Sequence, residues 1–308
     1  MPADPGEGRG ELQINPKVTI YPSMHHTIEF IKASGAGNDF VLIDNWNGTL
    51  NVGQPELAVA LCSRPFGVGA DGLLVLEKSP RANFQMRYYN ADGSYGGMCG
   101  NGGRCIAMFA YKRGLAPRSM SFEALDHVYA AEVADQRVVL QMKTPVDFRP
   151  DVRLTVNGQA IAAQYINTGS PHVVVMVNNL ESTDVIGLGR AIRHHTEFLP
   201  AGTNVNFLRL DGGDAIGIRT YERGVENETL ACGTGSVASA VIAHLSNGIQ
   251  EPVHVRVRSG EELLVHLKSQ QGKVIEASLE GNAYILFSGK AFYDDDSHRI
   301  SLPIESLQ

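Results

Sequence analysis

The sequence predicts an α+β fold of two pseudo-repeated domains, each an antiparallel β-sheet or barrel curled around a central helix, with a cleft between them. Three observations lead there. Strand-like alternation fills most of the 308 residues, and helical periodicity is confined to four short stretches. The segment "RYYNADGSYGGMCGNGGRC" (87–105) is answered by "RTYERGVENETLACGTGSVASA" (219–240): an Arg-x-Tyr strand end, a polar loop, Cys-Gly-x-Gly, then an apolar run. Finally, "SVASAVIAHL" has almost no polar face, the pattern of a helix enclosed on all sides.

Along the chain, "HTIEFIKA" and "NDFVLID" read as strands, "PELAVALCS" (55–63) as a helix, and "GLLVLE" and "FQMRYYN" as strands. The stretch from about 101 to 113, ended by Gly114, is the first central helix. "YAAEVADQRVVLQMK" follows as strands, and "KTPVDFRPDVRL" breaks the strand pattern with two prolines, placing the seam between halves near 145–160. "YINTGSPHVVVMV", a helix over about 184–195, "TNVNFLRL" and "AIGIRTYE" lead to the second central helix, about 234–246, ending near Gly248. "VHVRVRSGEELLVHLK" and "KVIEASLEGNAYILFSGKAF" complete the strands. Residues 1–25 read as a flexible extension. Residues 26–147 with about 283–297 form the N-terminal half, to which the last strand returns, and 148–282 form the C-terminal half.

Cys99 and Cys232 occupy the matched positions of the repeat, each at or just before a helix start. Unpaired N–H groups and the positive end of the helix dipole favour an anion there, which is expected to lower a thiol pKa below its usual ~8.5. Glycines at the next positions let a ligand approach the same amides closely. Two such sites point to half-sites facing one substrate across the cleft. Cys62 and Cys105, on apolar helical stretches, read as core residues.

Bulk properties narrow the classes. A net charge of −7 supplies no basic field for nucleic acid, and no apolar stretch is long enough to cross a membrane. The N-terminus lacks the charged and apolar regions of a secretory signal, so the expected location is cytoplasmic. Four cysteines are too few for a disulfide scaffold, and neither C-x-x-C nor a zinc spacing occurs; no metal is expected. "GAGNDF" only partly matches a dinucleotide loop, because a strand follows it and the third glycine is missing.

The chain resembles the diaminopimelate epimerase family in "GAGNDFVLID" (35–44), "FGVGADGLLVLE" (66–77), "YNADGS" with "MCGNGGRC" (89–105), "NTGSPHVVV" (167–175), "TNVNF" (203–207) and "YERGVENETLACGTG" (221–235). The resemblance implies an isomerase that inverts one α-carbon of LL-diaminopimelate to the meso form, on the route to lysine, without pyridoxal phosphate or any other cofactor. It implies Cys99 and Cys232 as a thiolate/thiol pair working from opposite faces, with the active site in the cleft. It places His172 and Glu222 where the family has groups that tune the two thiols. Asn38, Asn90, Asn204, Glu222 and Arg223 match substrate-binding positions, and the amides near Gly100, Asn101, Gly233 and Thr234 are aimed at the reacting carboxylate. It also implies a homodimer, with a small-molecule substrate as the other partner and neither nucleic acid nor membrane.

This chain departs from the family pattern at two positions. Ser170 stands where many members have Asn, and Gly72 where some carry Gln. Two other readings stay open on the same residues. One is a sister racemase for proline, hydroxyproline or histidine, although proline-type members resemble "MCGH" where this chain has Asn101. The other is a non-enzymatic redox sensor in which the two cysteines form a reversible disulfide.

Overall fold

The structure is a computed structural model describing residues 25–51, 53 and 55–302. Apart from His25, the expected N-terminal extension lies outside the described residues. The first half runs β1 (His25–Gly35), β2 (Asn38–Asp44), α1 (Pro55–Cys62), β3 (Gly72–Glu77), β4 (Phe84–Asn90), α2 (Gly100–Lys112), β5 (Ser119–Ala124), β6 (His127–Ala134) and β7 (Arg137–Gln141). Next come β8 (Val146–Val156), β9 (Gln159–Asn167), β10 (Pro171–Met176), α3 (Val185–Arg193), β11 (Asn204–Gly212), β12 (Ala215–Glu222) and β13 (Asn227–Thr229). α4 (Gly233–Asn247), β14 (Val253–Arg256), β15 (Glu262–Gln270), β16 (Lys273–Asn282), β17 (Tyr284–Asp294) and β18 (Arg299–Ser301) end the order.

The two halves follow one plan. β2 and β3 pair parallel, β3 and β4 antiparallel, β4 and β5 parallel across α2, and β5, β6 and β7 form an antiparallel meander. β10, β11, β12, β14, β15 and β16 repeat those directions, with α4 as the crossover. The halves join where β7 pairs antiparallel with β16, so a single sheet runs through the molecule. Most pairings are antiparallel, as expected. The parallel pairs arise where a helix carries the chain back before the next strand, a return that period-two patterning does not reveal.

The chain leaves the first half after β7 and returns to it after β16. β8 follows β7 in the chain yet pairs with β9, and β17 follows β16 yet pairs with β1. Within "KTPVDFRPDVRL", residues 143–145 connect β7 to β8, and the pattern break expected at Pro150 falls inside β8 rather than between strands. Among the described strands β8 pairs only with β9, and its register shifts between Val146 and Arg149 and again between Arg149 and Val152. Those irregularities bracket Pro150, which an edge strand tolerates because no regular ladder bond is lost there.

The four helices lie within a residue or two of their expected bounds. Gly114 (φ 70°) and Gly248 (φ 70°) end α2 and α4 in the left-handed conformation that a side chain disfavours. One apolar core passes through both halves. Ile106 and Phe109 of α2 and Val237, Val241 and Ile242 of α4 are buried in it, each contributing roughly 1.5–3 kcal/mol by removal from water. From Val237 to Ala243 every residue of α4 is buried, which is why that stretch carries no polar face.

Candidate active site

Cys99 and Cys232 are the N-cap residues of α2 and α4. Their backbones are extended and nearly superimposable in angle, at φ −126°, ψ 126° and φ −120°, ψ 113°. Each carbonyl opens its helix, accepting from Gly103 N–H at 2.7 Å and Ser236 N–H at 2.8 Å. The helices meet start to start, and a Cβ built on Gly233 would lie 3.3 Å from the Gly100 Cα. The missing side chain at Gly233 is what leaves room for the two helix starts to come this close. The result is two sets of amides converging on one place, with a thiol beside each.

Both cysteines line a single cavity of about 820 Å³. Asn38, Asn90, Gly100, Asn101, Ser170, Asn204, Glu222, Arg223, Gly233 and Thr234 also line it. His172 does not reach the cavity. It is fully buried behind it, with Nε2 2.9 Å from Thr234 Oγ1, which in turn lies 3.5 Å from Cys232 Sγ. Cys62, read as a core residue, is buried but edges the cavity, and Cys105 is fully enclosed. Burial pushes both of those thiols up to about 12.

The two matched thiols are also pushed up, contrary to the lowering expected at a helix start. Burial is the larger influence on each, and the Glu222 carboxyl adds to it. The amides of Asn101 and Gly102 at Cys99, and of Gly235 at Cys232, pull the other way without overcoming it. A helix dipole contributes a fraction of a charge, whereas desolvating a whole anion costs more. Burial likewise raises the Glu222 carboxyl, opposed by a 3.0 Å hydrogen bond from Thr229 Oγ1. His172 is driven down to about 3 by burial and by the nearby Arg223 charge, so its ring is neutral.

Polar side chains around the cavity are held in a definite donor order. Arg104, buried beneath it, donates to Gly100 O at 3.3 Å and Asn101 Oδ1 at 2.9 Å. Because guanidinium only donates, Asn101 turns its amide nitrogen to Asn38 Oδ1 at 2.7 Å, and Asn38 Nδ2 donates to Asp71 Oδ2 at 3.0 Å. Asp71 and Asp39 share Arg64, and Asp39 also pairs with the buried Lys32 at 2.7 Å. Asn204 Oδ1 accepts the Arg223 N–H at 2.9 Å, and Arg223 Nη1 donates to Ala201 O at 3.2 Å.

Tyr88 was not among the expected site residues, yet it lines the cavity and donates its hydroxyl to Asn90 Oδ1 at 2.7 Å. A Cβ on Gly72 would lie 2.6 Å from both Tyr88 Cε2 and Tyr89 O, and one on Gly96 would also collide with the Tyr88 ring. The glycines at 72 and 96 thus make room for this ring. Gly72 was visible as a departure; the residue filling its space was not, because the two meet only across the β3–β4 ladder.

Among the described residues, no group of three or more His, Cys, Asp or Glu is placed to hold a metal ion, and no helix is long and apolar enough to cross a membrane. Two lobes on one plan, each presenting a thiol at a helix start to a shared cavity, define an isomerase of the epimerase and racemase class. The fold matches a phenazine biosynthesis protein of the PhzF family from Bacillus anthracis, with a TM-score of 0.67 at 15% identity over 86% of this chain and 99% of that one. The family model for diaminopimelate epimerase matches residues 30–148 and 164–286. Diaminopimelate epimerases of Chlorobaculum tepidum and Aquifex aeolicus are 46% and 43% identical, over 83% and 85% of this chain and 98% and 97% of theirs. The chain belongs to the diaminopimelate epimerase family.

Proposed function

We propose that the protein interconverts LL- and meso-diaminopimelate by exchanging the proton on one α-carbon, with Cys99 and Cys232 as the paired base and acid and with no cofactor. The observation that carries this reading is the placement of both cysteines as N-caps of matched helices on one cavity. One sulfur, as thiolate, takes the proton from one face; the other, as thiol, gives its proton to the opposite face. The pair ends with its charges exchanged, ready for the reverse reaction.

Burial fits this chemistry. An α-proton between an ammonium and a carboxylate is very weakly acidic, and a desolvated thiolate is a stronger base than one in water. Charge developing on the substrate carboxylate meets the amides near Gly100, Asn101, Gly233 and Thr234. Arg223 suits a carboxylate, and Asn38, Asn90, Ser170 and Asn204 are amide or hydroxyl groups able to read either end of an amino acid. Glu222 and the neutral His172 adjust the two thiols, and Glu222 can accept from the substrate ammonium. As the family resemblance implies, the reading extends to a homodimer working in the cytoplasm.

The test is solvent exchange. Reduced protein in heavy water, without added cofactor, should wash deuterium into Cα of LL-diaminopimelate while inverting it. Cys99→Ala and Cys232→Ala should each abolish inversion. Exchange with proline or histidine but not diaminopimelate would move the activity to a sister racemase, and exchange with no amino acid would point to a redox role.

A further inference from the structure

The side chains behind Cys232 form one hydrogen-bonded line. His172 and Asn206 lie on the paired strands β10 and β11, and Thr220 faces Asn206 from β12. All three are buried. Asn206 Nδ2 is 3.2 Å from the Val173 carbonyl, an acceptor that cannot donate, so the amide nitrogen must point that way. Its Oδ1 accepts from Thr220 Oγ1 at 2.9 Å. The same Nδ2 lies 3.0 Å from His172 Nδ1, which must therefore present a lone pair.

The rest follows by elimination. A neutral ring with an accepting Nδ1 carries its hydrogen on Nε2, and that N–H donates to Thr234 Oγ1 at 2.9 Å. Thr234 has one hydroxyl hydrogen, and Cys232 Sγ lies 3.5 Å away to receive it. Reversing the Asn206 amide would reverse every donor along the line, leaving Cys232 without the Thr234 hydroxyl as a donor. We infer that Asn206 is a positioning residue that fixes the His172 tautomer so that the Thr234 hydroxyl donates to the Cys232 sulfur and steadies its thiolate.

Two independent features agree. A Cβ on Gly235 would run into Asn206 Oδ1, so the second glycine of Cys-Gly-Thr-Gly is what admits the Asn206 amide beside the helix start. In the other half Asn101 stands in the place of Thr234, but Arg104 and Asn38 hold its side-chain amide, so that side chain is not free to serve Cys99. The line exists on one side only. The charged and titratable groups facing it are Glu222 from β12 and Cys99 from α2 toward Cys232, and Arg223 toward His172.

The inference rests on the reading of Cys232 as one of the two bases, and its deciding readouts need no turnover. In ¹⁵N-histidine-labelled protein, with His172 assigned by its loss in His172→Gln, the ring should be neutral with hydrogen on Nε2. Iodoacetamide labelling mapped to Cys232 should shift its pH profile upward by about one unit in Thr234→Val, which cuts the line, and likewise in Asn206→Asp, which reverses it. In both variants kcat should fall about tenfold or more, with KM changed far less. A wild-type ring with hydrogen on Nδ1, or a Cys232 profile unmoved in either variant, overturns the inference. Full activity in Cys232→Ala would instead overturn the two-thiol reading beneath it.

Discussion

Gly100 and Gly233 sit face to face where α2 and α4 begin, and the two positions differ in slack. A Cβ on Gly100 would find only ordinary contacts, 3.4 Å to Leu279 Cδ2 and 3.6 Å to the Gly233 Cα. On Gly233 it would be tighter, 3.1 Å to Leu279 Cδ2 and 3.3 Å to the Gly100 Cα, and on Gly235 it would strike the Asn206 amide.

An alanine series should therefore be graded. Gly100→Ala keeps its thermal midpoint, because relief from glycine in a helix, up to about 1 kcal/mol, offsets the contact. Gly233→Ala loses a few degrees, and Gly235→Ala loses most in both melting temperature and kcat. Differential scanning calorimetry with steady-state kinetics checks the order.

The raised thiols set the pH response. Since burial favours the protonated form, labelling of Cys99 and Cys232 in the free protein should still be climbing at about pH 8.5, where an ordinary thiol is half ionised. The kcat/KM of the free enzyme should rise over the same alkaline range, with no limb from His172 between pH 5 and 9. Rapid alkylation that has already levelled off at neutral pH would contradict the burial argument.

Acid should unfold the protein in two steps of cause. His172 is held near 3 in the fold against about 6.5 unfolded, so the unfolded chain binds the extra proton and stability drops as pH falls from about 6.5 toward 3. At Asp39 burial raises the carboxyl, but hydrogen bonds and charges from Arg64 and Lys32 outweigh it and bring it to about 2. Its contribution is present above about 4 and is lost as pH falls toward 2. His172→Gln should flatten the first decline in urea titrations and leave the second.

Tyr88 offers a separate handle. Tyr88→Phe removes the hydroxyl from Asn90 while keeping the ring that fills the space beside Gly72, so KM should rise about fivefold with the melting temperature little changed. Gly72→Ala should instead destabilise, because the Tyr89 carbonyl in its way is backbone and cannot move aside. An unchanged KM in Tyr88→Phe would show that the hydroxyl does nothing for the substrate through Asn90.

How far the chain could be read in advance depended on range. Cys99 and Cys232 stood out because the repeat is local and each lies beside its own helix, and the four helices were legible from periodicity and their terminal glycines. Asn206 was not legible. It shares a strand face with Asn204, two residues away, but its partner lies 34 positions off on another strand. Pro150 misled as a strand break because a proline reads the same in a loop and in the interior of an edge strand. The thiols misled because a helix start is written in the sequence, whereas depth of burial emerges only when both lobes close around it.

The crossing of β8 and β17 between lobes carries an implication for the chain as a whole. A fragment cut after β7 would lack the flanking strand that seals β1, and the remainder would end in a strand whose mate is gone. Neither piece should survive as a soluble unit by itself, yet co-expressed pieces should reassemble, with β17 of one pairing again with β1 of the other. The first lobe is therefore closed only by the end of the chain, so bringing the two thiols together and completing the fold become the same event.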